Sequence, residues 1–153
     1  MTGPVARERV IRLLQAHAVN PVVMLAHNLG MPPPGDALLE TTGRRTGLPR
    51  HTPVCDGLAG DVFWLVAQSG YRADWVRNIQ ADPRVRVKMR TGSGVAWRAG
   101  TAHIVDDDDP RERRRLIGRD GPARRMCMGA AALADTDALT VRVDLDARAS
   151  GQP

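Results

Sequence analysis

Val85-Arg86-Val87-Lys88-Met89, followed by Gly92-Ser93-Gly94 and then the stretch from Val95 to Val105, is the segment on which the fold turns. Apolar and basic residues alternate in its first part, as in a strand with one face buried and the other in solvent. The Gly-Ser-Gly turn reverses the chain, and Val95 to Val105 returns as the antiparallel partner. Working outward, Leu38-Leu39-Glu40-Thr41-Thr42 is a short strand ended by Gly43, and His51 to Cys55 is another after Gly47-Leu48-Pro49. Gly57 to Asp61 reads as a turn, Val62 to Ala67 as a largely buried strand, and Thr140 to Leu145 as a closing strand.

Helical patterns lie at the start and between the strands. Val5 to Ala18 carries a stripe of Val10, Leu13, Leu14, His17 and Ala18 with Arg7, Glu8 and Arg12 opposite. Asn20-Pro21 reads as an N-cap with proline at the first helical position, opening a helix over Val22 to Leu29 that Gly30 stops. Asp74 to Ile79, Pro110 to Ile117 and Ala123 to Leu133 are the other helical segments. Short antiparallel strands with N-terminal and edge helices predict an α+β fold whose sheet curls into a small barrel. Repeated βαβ units do not suit the strand spacing, and no internal repeat is visible.

A chain of 153 residues fits one domain over residues 1–153, with a helical N-terminal segment at about 5–30. With 42% apolar and 25% charged residues, a disordered chain is excluded. A formal net charge of +5 and a pI near 10.5 favour an anionic partner. Nucleic acid is set aside, because the positive charge is interleaved with Asp and Glu and no RRM, zinc-finger or helix-turn-helix signature is present. Cys55 and Cys127 are too few for a disulfide framework or a zinc cage and are expected as reduced thiols. The apolar run Val22 to Ala26 is far shorter than the roughly 20 residues that span a bilayer. The expected location is cytoplasmic, without stable membrane insertion, with a peripheral position at a membrane surface as the alternative.

Chemistry concentrates in Thr41-Thr42-Gly43-Arg44-Arg45-Thr46-Gly47-Leu48-Pro49-Arg50, between two expected strands. Two glycines bracket two arginines and a threonine. Such a loop can aim backbone N–H groups, a hydroxyl and guanidinium forks at one point, which suits phosphate or carboxylate; the alternative is a solvated basic turn. A second segment, Ala67-Gln68-Ser69-Gly70-Tyr71-Arg72-Ala73-Asp74-Trp75-Val76-Arg77-Asn78-Ile79, takes a buried strand through a Ser-Gly turn into a helix start. Plain packing, with Trp75 as a core anchor and Asn78 as a helix-end polar group, is the alternative there.

Taken together these segments carry a resemblance. Leu-Leu-Glu-Thr-Thr-Gly-Arg-Arg-Thr-Gly-Leu-Pro-Arg from Leu38, Gly-Asp-Val-Phe-Trp-Leu-Val-Ala from Gly60 and Trp-Val-Arg-Asn-Ile-Gln-Ala-Asp-Pro-Arg-Val-Arg-Val from Trp75 follow the order and spacing of one family. The chain resembles the deazaflavin-dependent nitroreductases, also described as coenzyme F420-dependent quinone reductases, from about Asn20 to Leu145. The resemblance implies a split β-barrel of the flavin-reductase kind with coenzyme F420 beside the barrel. It implies that Arg44, Arg45, Thr46, Gly47 and Arg50 hold the cofactor phosphate and oligoglutamate tail. Pro53 and Val54 would lie beside the deazaflavin ring, and Ala67, Ser69 and Gly70 would line the cofactor. Trp75 and Asn78 match the family's Trp-x-x-Asn.

The implied reaction is hydride transfer from reduced F420 to a small-molecule acceptor such as a quinone, an enone or a nitro-aromatic. Protonation falls to solvent or a hydroxyl, with Ser69 and Tyr71 as candidates. A non-catalytic carrier of F420 or another anionic ligand is one alternative. An FMN enzyme of the same fold is another, although FMN has no glutamate tail and leaves several arginines unassigned. A homodimer is compatible with the resemblance. The chain departs from the family in having Tyr71-Arg72 in the turn, Val76-Arg77 between Trp and Asn, and no tyrosine after Tyr71, with Met126-Cys127-Met128 in the C-terminal helical region instead.

Other features read more plainly. Asp106 to Asp109 reads as a helix cap, and Arg111, Arg113, Arg114 and Arg115 as its solvated face, against the alternative of a metal or polyanion site. His17, His27, His51 and His103 show no metal spacing, so no metal is expected, and only His51 falls near the expected cofactor. Cys127 reads as a small core residue rather than a nucleophile.

Overall fold

The computed structural model describes Ala6, Arg9 and residues 20–147. The helix expected over Val5 to Ala18 lies outside the described residues except for Ala6 and Arg9, which are helical. The first described helix, α1, covers Asn20–Asn28; Gly30 ends its last turn at φ 73°, a conformation that favours glycine. The sheet then runs as β1 (Asp36–Thr42), β2 (Pro49–Cys55), β3 (Leu58–Ala59), β4 (Val62–Ala67), β5 (Arg84–Thr91), β6 (Gly94–Val105) and β7 (Leu139–Leu145). Helix α2 (Asp74–Ala81) follows β4, and α3 (Pro110–Gly118) and α4 (Pro122–Ala132) lie between β6 and β7.

All seven strands join one antiparallel sheet in the order β2-β1-β5-β6-β7-β4-β3. The sheet curls so that its two edges approach. Trp64 N–H donates to Gly57 O at 2.9 Å, and a Cβ on Gly57 would fall 1.9 Å from Trp64 O. Only glycine lets the link between β2 and β3 pass that close to β4. The result is the expected α+β split barrel.

Alternation places the core. In β5, Val85, Val87 and Met89 are buried while Arg84, Arg86 and Arg90 are exposed. These residues join Ala37, Leu39, Phe63, Leu65, Ile79, Ala102, Val141 and Val143 in one cluster. At roughly 25 cal/mol per Å² of apolar surface, that burial is the main force holding the sheet curled. β4 is less uniformly buried than its sequence suggests: Phe63, Leu65 and Ala67 face the core, whereas Val62, Trp64 and Val66 are half-buried. Trp64 is covered from outside by the Arg113 guanidinium, 3.6 Å from the ring centroid. The turn expected over Gly57 to Asp61 contains the two-residue strand β3, which Gly60 turns back onto β4.

One expectation is overturned. Cys55 and Cys127 are joined in a disulfide rather than carried as free thiols. Two cysteines cannot build a framework, but a single crosslink needs only two. Cys55 ends β2, and α4 packs across that end of the hairpin, which brings together residues 72 apart in sequence. The cysteines therefore no longer argue for a reducing compartment. No described helix is long and apolar enough to cross a membrane.

Candidate functional site

The β1–β2 hairpin organises the site. Its register pairs Thr42 with Pro49 at one end and Asp36 with Cys55 at the other. Those ends are about 20 Å apart at some 3.3 Å per residue. The basic loop, residues 43–48, closes the first end, and α4 covers the second.

Within the loop, Gly43 N–H donates to Leu48 O and Gly47 N–H to Gly43 O, both at 2.8 Å. Gly47 has φ 68°, which lets the turn close. Thr46 Oγ1 accepts from Leu48 N–H at 3.3 Å. The backbone N–H groups of Arg45 and Thr46 and the side chains of Arg45 and Arg50 have no hydrogen-bond partner among the described residues, and all three residues are exposed. Arg44 is committed elsewhere. Its backbone N–H and Nη1 both donate to Asn78 Oδ1, at 3.2 and 3.0 Å, and Nη2 donates to Asp74 Oδ1 at 3.1 Å. Asn78 is buried and donates onward to Thr41 Oγ1 at 3.1 Å. Helix α2 thus fixes the loop's root, leaving Arg45, Arg50 and two amides facing solvent.

An apolar pocket of about 880 Å³ lies beside β2. Pro53, Val54, Ser69 and Trp75 line it, together with Met126, Cys127 and Met128 of α4. Ala67 is buried and, like Gly70, does not line it. Gly70 is required by contact: at φ 55°, a Cβ there would fall 2.2 Å from Asp137 O. Tyr71 lines a smaller pocket with Ser69, and its hydroxyl donates to Asp106, a bond that holds the phenol above its ordinary pKa. His51 is paired with Glu40 at 2.8 Å and tilted against Trp97. The same Glu40 takes two hydrogen bonds from Arg86, which chiefly hold its carboxyl below the usual range.

The residue that sequence reasoning missed is Asp36. It lines the apolar pocket, and burial pushes its carboxyl up to about 6. Its Oδ1 lies 3.4 Å from Cys127 Sγ, which as a disulfide sulfur has no proton to offer, so the anion gains no donor from that contact. The expected strand began only at Leu38, and the pairing of Asp36 with Cys55 appears first in the register of the hairpin. The arginines after the acidic run also differ from a uniformly solvated face. Asp109 does cap α3, accepting from Arg111 N–H at 3.0 Å, but Arg114 is buried against Asp135 and Arg113 covers Trp64.

The model of the F420H2-dependent quinone reductase family matches residues 11–146. The chain belongs to that family. Reduced coenzyme F420 is accordingly its cofactor, and the residues present fit one: an open basic cradle for an anionic tail beside an apolar slot for a planar ring. No curated protein matches the chain. Among solved structures, an F420 reductase is 17% identical, with 74% of this chain and 88% of that one covered at a TM-score of 0.51. A structure described as a domain-swapped dimer is 20% identical, covering 92% and 96% at 0.51. The heme storage protein HutZ from Vibrio cholerae is 13% identical, covering 82% and 92% at 0.52. These likenesses concern the fold.

Proposed function

We propose that this family member is a reductase for a planar conjugated acceptor, a quinone, an enone or a nitro-aromatic. The observation that carries the reading is the apolar pocket of about 880 Å³ on the same hairpin as the open basic loop. That volume suits a tricyclic ring and a second flat molecule stacked together. F420, when bound, supplies a hydride. Arg45, Thr46, Arg50 and the loop amides hold its phosphate and glutamates, with Arg44 and Asn78 acting through the loop's shape. Pro53, Val54 and Trp75 set the ring's plane, and Met126 and Met128 give an adaptable wall for the acceptor while excluding water. Asp36 holds the proton that the reduced acceptor takes up, its burial keeping the carboxyl protonated in slightly acidic solution. Ser69, which lines this pocket, and Tyr71, in the smaller pocket that shares Ser69, are the hydroxyl-bearing candidates.

A homodimer belongs to the same reading, since α1 leaves Val22 and Leu25 exposed and Leu29 just after it is exposed as well. The test is a fluorescence-quench titration with F420 beside FMN at two salt concentrations, followed by an acceptor screen with reduced F420. Salt-sensitive binding of F420 over FMN, with turnover of a quinone, enone or nitro-aromatic, is the expected result. Tight binding without turnover would make the protein a carrier, and binding of FMN alone would overturn the cofactor's placement.

A further inference from the structure

A second basic pocket lies between the two helices that follow β6. Between α3 and α4 is a pocket of about 600 Å³ lined by Arg111, Arg114, Arg115, Arg119 and Arg125, with Asp135 as its one carboxylate. Three of these arginines, at 111, 115 and 119, fall four residues apart along α3 and its C-terminal cap, where like charges repel. Arg115 is offset by Glu112, with Nη2 to Oε1 at 2.5 Å. The side chains of Arg111, Arg119 and Arg125 make no hydrogen bond or ion pair among the described residues, although Arg119 lies within electrostatic reach of Glu112, and all three are exposed. Arg114 is 7% exposed; its terminal nitrogens hold Asp135, but its Nε–H is buried without a partner. A folded chain that keeps such a cluster bears a cost that a bound anion removes.

The position of this pocket gives it a use. Arg114 lines both this pocket and the apolar one, so the two adjoin. Helix α4 is tied to the Asp36–Cys55 end of the hairpin by the disulfide and by Arg124, which bonds Leu58 O and Asp56. The basic loop closes the opposite end, about 20 Å away by strand rise. A ligand anchored at that loop with its ring at Pro53 and Val54 leaves the arginine pocket to the other reactant.

We infer that the arginine pocket between α3 and α4 binds the anionic arm of the acceptor, making the substrate a conjugated ring that bears a carboxylate or phosphate. The inference rests on the reading of the apolar pocket as the acceptor's seat. Its specificity is electrostatic: a neutral acceptor fills the apolar pocket alone, while an acidic one gains guanidinium contacts through Arg111, Arg119 and Arg125.

The experiment has two arms. In the first, inorganic pyrophosphate is titrated calorimetrically into cofactor-free protein, into Arg119→Gln/Arg125→Gln and into Arg45→Gln/Arg50→Gln. Two binding events are expected in the native chain, each double variant weakening a different one by about tenfold or more. In the second, KM is compared for a naphthoquinone carrying a carboxylate side chain and for its methyl ester. The acid's KM is expected to be lower by about tenfold, and the Arg119→Gln/Arg125→Gln variant to erase most of that ratio. Arg111→Gln serves as the second variant should the double one melt early. Equal KM values for acid and ester in the native enzyme would overturn the inference, as would pyrophosphate binding untouched by the Arg119 and Arg125 changes. Failure of the reductase reading shows separately, as no turnover of either form, while the titration still decides the anion site.

Discussion

Arg44 meets Asn78 twice: its backbone N–H and its Nη1 both end on the same amide oxygen, at 3.2 and 3.0 Å. The amide nitrogen of Asn78 is spent on Thr41, so a single buried side chain joins strand β1, the basic loop and helix α2. The asparagine of the Trp-x-x-Asn motif is thus a brace for the loop.

Replacing Asn78 by alanine leaves Thr41 and the Arg44 amide without their partner in a buried setting. A loss of about 1–3 kcal/mol of stability is expected from that. The affinity for F420 should fall as well, although Asn78 touches no ligand in this reading. Denaturant unfolding and a fluorescence titration on the same preparation check both.

Arg45→Ala and Arg50→Ala should behave differently. Both side chains are exposed and without partners among the described residues, so stability should change little. Each should weaken F420 binding by about tenfold or more, the scale of a lost charge-assisted hydrogen bond. The dependence of affinity on salt should become shallower in both variants, because fewer charges meet the cofactor. A dissociation constant unchanged in the double variant would remove the loop from the cofactor site.

Asp36 makes stability depend on pH. Its carboxyl sits at about 6 in the fold against an ordinary 3.8. The fold therefore binds this proton more tightly than the unfolded chain does. That contribution is complete below 3.8 and disappears as pH rises through about 6. His27 works in the opposite sense: burial first, then Lys88 and Arg90, hold it below 6.5, so its contribution is present above that value and is lost on acidification. Asp36→Asn should accordingly raise the melting temperature more at pH 8 than at pH 5. If Asp36 supplies the proton, the same variant should lower kcat at pH 5.5 and flatten its decline toward alkaline pH.

Reduction of the disulfide should cost about 2–5 kcal/mol, the usual scale for removing a native crosslink. The melting temperature is expected to drop in dithiothreitol. Cys55→Ser should show the lower value from the outset and no further response to reductant. Alkylation followed by mass measurement should label neither cysteine of the native chain before reduction.

Much of this was visible in the residues themselves. The alternation of Val85, Val87 and Met89 placed the core face of β5, and Asp109-Pro110 announced the start of α3, because strand period and helix capping are local properties. The Gly43–Arg50 loop was equally legible, since its glycines and arginines are contiguous. What escaped was whatever the third dimension assembles. The partnership of Cys55 with Cys127 and the burial of Asp36 in an apolar wall depend on α4 crossing the end of a hairpin far away in sequence, and the pairing of Arg114 with Asp135 depends on α3 meeting the segment that follows α4. No local pattern distinguishes Arg114, which is buried, from Arg115, which is exposed, before the helix has a neighbour.

The crosslink also changes what a break in the backbone means. Strands β3 to β6 and helices α2 and α3 all lie between Cys55 and Cys127, so they form a covalent ring. The exposed turn Gly92-Ser93-Gly94 lies on that ring and is an open place for a protease to cut. A nick there severs the chain without releasing a fragment. The cleaved protein would run as one band on a non-reducing gel and as two once the sulfurs part, and its sheet would stay paired across the cut.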